Sequence, residues 1–192
     1  MKGLFSFFLF LFSSTAIAQV TVSVRWQKDN TRGLGDTIYY SQNRKLDWKD
    51  FQGDPDLKSD AAAITSSGFG YLLAMRSVNH RTTITISVYC FYDKQHSWVR
   101  PGVESDYALL HEQHHFDITY IAASAFVEKL RAARFSLGNY RNMAESIYYQ
   151  SNNDMEKMQN DYDGQTKNGR VKNIQAVWNN KIEEKLVRLI RD

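Results

Sequence analysis

The chain has 192 residues, 43% of them hydrophobic, 23% charged and 14% aromatic, with 24 Lys and Arg against 21 Asp and Glu. That composition excludes a disordered chain, and a net charge of +3 is too small to mark a nucleic-acid surface or a polybasic membrane-binding face. The single cysteine, Cys90, excludes an internal disulfide and a cysteine-rich metal cluster, so any metal site must use His, Asp and Glu.

Residues 1–18 have the three parts of a secretory signal peptide: Lys2 near the start, an apolar run over 4–12, and the small residues Ala16-Ile17-Ala18 before a cleavage point after Ala18. The apolar run falls far short of the ~20 residues that span a bilayer. The expected location is therefore secreted or periplasmic, with no membrane attachment after cleavage. Residues 19–192 are expected to form a single domain.

The next stretch reads as strands and turns. Residues 21–26 alternate polar and apolar side chains, and 82–92 do so with β-branched and aromatic residues. Residues 62–75 are the expected antiparallel partner of 82–92, joined to it through a polar turn over 76–81. Between them, the aromatics Trp48 and Phe51 anchor a loop punctuated by Gly53 and Pro55.

After Pro101 the period changes from two to three or four. Ser105 is an N-cap, Asp106 suits the positive end of a helix dipole, and no Gly or Pro interrupts the chain from 107 to about 134. A second helix is expected from Tyr140 to a stop at Gly164, and a third from about 171 onward with Ile174, Trp178, Ile182 and Leu186 on one stripe. The fold class is α+β: a small antiparallel sheet from the N-terminal half, packed with a long helix, an antiparallel second helix and a C-terminal helix.

The first long helix carries His111-Glu112-Gln113-His114-His115, an H-E-x-x-H pattern. Histidines four apart on a helix project from one face and can hold one zinc ion at ~2.0–2.1 Å each. Glu112, rotated about 100° from His111, stands beside the metal as general base toward the water that zinc activates. His80 and His96 fall in polar turns and His114 lies too close in angle to its neighbours, so the third ligand must be an acid.

If the first two helices fold back about Leu137, residues whose numbers sum to about 274 lie at equal height, because each helix rises 1.5 Å per residue. His111 then faces Asp163 and Gln113 faces Asp161, while Glu128 and Glu145 lie about 20 Å away along the axis. Asp161, Asp163 and, less favourably, Glu156 stay open on geometry alone.

These residues resemble the bacterial family of domains of unknown function numbered 922, described as secreted zinc-dependent proteases. The similarity runs in order along most of residues 19–192. Trp48-Lys49-Asp50-Phe51-Gln52-Gly53 looks like its early W-x-D-F-x-G element, residues 63–68 like its next strand, 111–118 like its signature, and Tyr162-Asp163-Gly164-Gln165-Thr166-Lys167-Asn168-Gly169 like its Y-D-x-x-T-x-H-G element. The resemblance implies a zincin-like fold, Zn2+ as cofactor, Asp163 as third ligand beside His111 and His115, and a peptide or protein substrate. Two departures bear on activity: Asn168 stands where the family commonly has His, and His114 where it commonly has Gly.

The expected function is zinc-dependent hydrolysis of peptide bonds with Glu112 as base. Tyr162, His114 and His96 are candidates to stabilise the oxyanion, and the strand over 82–92 is the candidate edge for an extended substrate. Two further readings stand beside it: a non-catalytic secreted or envelope domain with a structural zinc site closed by a fourth protein ligand, and an amide hydrolase acting on cell-wall substrates.

Overall fold

A computed structural model describes residues 19–27 and 35–191. The signal peptide expected over 1–18 lies outside the described residues. The strands are β1 (Gln19–Trp26), β2 (Thr37–Tyr39), β3 (Ala63–Ile64), β4 (Ser67–Val78), β5 (Arg81–Asp93) and β6 (Trp98–Val99). They are followed by the helices α1 (Asp106–Ala132), α2 (Tyr140–Thr166) and α3 (Lys172–Arg191). The fold is α+β, as the change of period at Pro101 indicates. No helix among the described residues is long and apolar enough to cross a membrane.

β5 organises the sheet. β4 covers one edge of it antiparallel from Ser67↔Tyr92 to Val78↔Arg81. The other edge is shared end to end by β1 and β2, and here the expectation of a purely antiparallel sheet is corrected. β1 runs parallel to β5, from Gln19↔Arg81 to Trp26↔Val88, whereas β2 is antiparallel to it. Alternation reports which face a side chain takes and is the same for either strand direction, so the pattern of 21–26 carried no sign of this.

Being paired on both edges, β5 has no free edge along 82–92 to offer an extended substrate, which corrects that expectation too. The hairpin turn between β4 and β5 is also tighter than the predicted polar turn over 76–81. Only Asn79 and His80 lie outside the strands, both left-handed (φ 49° and 60°), as a two-residue type I′ turn requires.

The main core lies between the sheet and α1. Ile84, Ile86, Val88, Cys90 and Tyr92 alternate on one face of β5 and meet Phe116, Ala123, Phe126 and Val127 of α1. A smaller cluster of Ile118, Tyr162, Trp178 and Ile182 joins the three helices. Trp178 is therefore packing, as expected, and so is Phe51; Trp48, half-buried against Phe51, also borders a cleft. Burial pushes the Cys90 thiol well above its ordinary value, which makes it an unreactive core residue.

The second helix does not stop at Gly164. Nothing lies within 4 Å of where its Cβ would be, so an exposed helical glycine costs only about 1 kcal/mol and the helix runs on to Thr166. The turn that ends it is left-handed at Lys167, Asn168 and Gly169 (φ 53°, 52° and 78°). The amides of Lys167 and Asn168 both donate to the carbonyl of Asp163, closing the helix end. Asp163 thus sits inside regular helix, and its side chain takes a defined face.

Candidate metal centre

α1 begins as predicted, with Ser105 Oγ accepting from the amide of Ala108. One turn further on, the helix is buried around its whole circumference: His111, Glu112, Gln113, His114, Phe116 and Asp117 are all below a tenth exposed. The residues of the H-E-x-x-H stretch divide into two sets by the direction they face.

Gln113, His114 and Asp117 face the sheet side and are structural. Gln113 Oε1 accepts from the amide of Leu46 at 2.8 Å and its Nε2 donates to Asp117 Oδ1 at 2.9 Å. Tyr40 donates to the same carboxylate at 2.7 Å, and His114 Nδ1 lies 3.1 Å from its other oxygen. This buried network pins the loop around Leu46 to α1, and it turns His114 away from its histidine neighbours. Burial, followed by the charge of Asp117 and the hydrogen bond to it, holds the Tyr40 hydroxyl far above its ordinary pKa.

His111 and His115 face α2, where the fold-back places Asp163. The two Nε2 atoms are 3.3 Å apart, and Asp163 Oδ1 lies 3.2 Å from the first and 3.1 Å from the second. That oxygen is buried and has no hydrogen-bond partner. Three lone-pair atoms on the corners of so small a triangle form a group that can hold a metal ion. The other acids point elsewhere: Asp161 pairs with Lys157 one turn back at 2.5 Å, and Glu156 is exposed and accepts from Asn152.

In the metal-free chain a proton takes the place of a cation in the triangle. Burial would depress His115, but the Asp163 oxygen beside its Nε2 and the charges of Glu112 and Asp163 prevail and push it up to about 9. Burial would raise Asp163, yet the two imidazole nitrogens beside its oxygen and their charge hold its carboxyl well below the ordinary carboxylate range.

Each histidine is held from behind by a glutamine absent from the sequence-derived set. His115 Nδ1 lies 2.5 Å from Gln159 Oε1 of α2, and His111 Nδ1 lies 2.9 Å from Gln175 Oε1 of α3. A sum of about 274 also pairs position 159 with His115, a signal in the sequence that could have found Gln159. Nothing local marks Gln175, which is reached only because α3 packs against α1. The His111 ring is also stacked on Tyr162 at 4.7 Å, and a Cβ on Gly169 would stand 3.3 Å from its Nδ1. Glycine at 169 answers both that close approach and the positive φ.

Glu112 lies beside the triangle, 5% exposed, with Oε2 accepting from the Thr65 hydroxyl at 2.7 Å. Thr65 falls within the strand expected over 62–75, but that stretch is broken here and Thr65 stands between β3 and β4. The segment 61–65 that carries it, which includes β3, forms one wall of a cleft of ≈ 700 Å³, whose lining includes His111, Glu112, His115, Asp163 and Asn168.

The three residues expected to serve an oxyanion are not there. The Tyr162 hydroxyl is buried between Gln175 Nε2 at 2.6 Å and the carbonyl of His111 at 3.3 Å. His114 is committed to Asp117, and His96 is exposed and paired with Asp93 at 2.8 Å.

No protein-family model, curated protein or solved structure matches this chain.

Proposed function

We propose that the protein is a secreted or periplasmic zinc-dependent peptidase in which His111, His115 and Asp163 hold the metal and Glu112 is the general base. The observation that supports this most is the orphaned Asp163 Oδ1 facing two imidazole nitrogens across 3.1–3.3 Å. Zinc ligands at about 2.0–2.1 Å in a tetrahedron stand about 3.3–3.4 Å apart, so the triangle already has the spacing of three corners. The donor set of two imidazoles and one carboxylate suits zinc. Among the described residues the group has three members, and the nearest spare histidine, His114, is turned away. That leaves a corner open, as catalysis requires, and speaks against a closed structural site.

Zinc bound there supplies Lewis acidity that makes water a nucleophile near neutral pH. Glu112 does the proton work. Thr65 holds one carboxylate oxygen, which orients the other to accept a proton from the attacking water. As the carbon–nitrogen bond of the substrate breaks and the new carbon–oxygen bond stays, the same carboxyl returns the proton to the leaving amine. The wall formed by residues 61–65 takes the substrate-holding part that 82–92 cannot, since it borders Glu112 directly. The proposed kinship with the secreted proteases of family 922 is supported by the late motif, in which Tyr162, Asp163 and Gly169 all touch a histidine of the pair.

The test is metal content and peptide hydrolysis measured together. Glu112→Gln is expected to keep its zinc and lose about 10²–10⁴ in rate, whereas His111→Ala loses both. A wild-type chain that stays metal-free in zinc-replete medium, or a Glu112→Gln variant with undiminished hydrolysis, overturns the reading. Cleavage of cell-wall amides with no cleavage of peptides moves the substrate class and leaves the chemistry intact.

A further inference from the structure

We infer that Gln159 and Gln175 are positioning residues that lock both histidines in the Nδ1–H tautomer, so that both Nε2 lone pairs aim at one point beside Asp163. This rests on the metal site proposed above and adds to it a determinant from α3.

The argument follows from what each amide end can bond. Gln159 Nε2 lies 2.9 Å from the carbonyl oxygen of His115 and 3.2 Å from Thr119 Oγ1. A backbone carbonyl only accepts, so the nitrogen end must face it. The oxygen end then faces His115 Nδ1, which must carry a proton to donate across the 2.5 Å contact. Gln175 is oriented by side chains instead. Its Nε2 donates to Asn179 Oδ1 at 2.6 Å and to Tyr162 Oη at 2.6 Å, and the tyrosine hydroxyl spends its own proton on the His111 carbonyl. Gln175 Oε1 is left facing His111 Nδ1 at 2.9 Å, and Gln175 is 1% exposed, so no water competes for the bond.

With both Nδ1 atoms protonated, Nε2 is the only basic atom of each ring, and both point into the triangle. A carboxylate behind either ring would also orient it, but would add a negative charge; a neutral amide orients without weakening the electrophilic character of a bound cation. Two helices beyond α1 are therefore needed: α2 orients His115 and α3 orients His111.

The experiment compares wild type with Gln159→Met and Gln175→Met, which keep the length and remove the acceptor, and with Gln159→Glu and Gln175→Glu, which restore an acceptor. Zinc affinity is expected to fall 10–100-fold in each Met variant and to recover in part in the matching Glu variant, whose second oxygen meets acceptors that the amide nitrogen faced. Long-range proton–nitrogen NMR of the zinc-loaded protein supplies a readout that general destabilisation does not move. Wild type shows slowly exchanging Nδ1 protons on both rings, Gln175→Met speeds exchange at His111 alone, and Gln159→Met at His115 alone.

Zinc bound through Nδ1 of either histidine overturns the inference, as does an affinity within twofold of wild type in both Met variants. If a Met variant at 175 fails to fold, the pair at the half-buried position 159 decides. If wild type binds no zinc, the metal reading fails on its own; the metal-free protein at pH 10 still tests the tautomers, with Nδ1–H sustaining the inference and Nε2–H overturning it.

Discussion

Lowering the pH from 9 to 7 is expected to weaken zinc binding about 50-fold through the displacement of one proton from His115. In the metal-free chain, burial works against the imidazolium, but the Asp163 oxygen 3.1 Å from Nε2 and the charge of Glu112 keep that proton on up to about pH 9. A cation entering the triangle must expel it, so well below pH 9 each further pH unit costs about a factor of ten in affinity. The same proton makes the metal-free fold pH-dependent. His115 has a folded value above its unfolded value of about 6.5, so its stabilisation is complete below about pH 6.5 and is lost as the pH rises through about 9. That difference corresponds to roughly 3 kcal/mol, reduced by the water that reaches Asp163, whose side chain is 42% exposed. Zinc titrated against a chromophoric chelator from pH 6.5 to 9.5 measures the first effect, and denaturant melts of chelator-stripped protein measure the second. An affinity that is flat between pH 7 and 9, after correction for the chelator, refutes the reasoning.

Asp163→Asn is expected to lower zinc affinity at least 100-fold, whereas Asp161→Asn, which breaks only the surface pair with Lys157, leaves it within twofold by the same titration. Tyr162→Phe strands the Gln175 amide and should cost about 1–3 kcal/mol in a urea melt, with zinc-loaded hydrolysis falling less than tenfold because the hydroxyl does not face the cleft. Gly169→Ala places a methyl 3.3 Å from His111 Nδ1 at a positive φ, and should cost about 1–2 kcal/mol and weaken zinc binding, seen as a smaller rise in Tm on adding zinc.

Different parts of this molecule were legible to different degrees. The change of period at Pro101, the N-cap at Ser105 and the pairing of His111 with His115 follow from neighbours within two turns of chain. The height rule brought Asp163 opposite His111, because two straight helices joined by a short turn leave little freedom along their axes. It did not separate Asp163 from Asp161. That choice is rotational, and it depended on α2 continuing through Gly164 with Asp163 still on a helical face. The direction of β1 was invisible because alternation is blind to it, and with β1 and β2 filling the second edge of β5, the free wall beside the site fell to residues 61–65.

The sequence by itself determined the class of the fold and the histidine pair, since local spacing alone orients side chains one helical turn apart, and it narrowed the acid beside them to Asp161, Asp163 or Glu156. Only the tertiary structure decided what surrounds them. Thr65 behind Glu112, Gln159 behind His115 and Gln175 behind His111 come from three other segments, the farthest 64 residues from its partner. Such contacts depend on how α2, α3 and the strand wall pack against α1, and packing is a property of assembled surfaces that no spacing along the chain records.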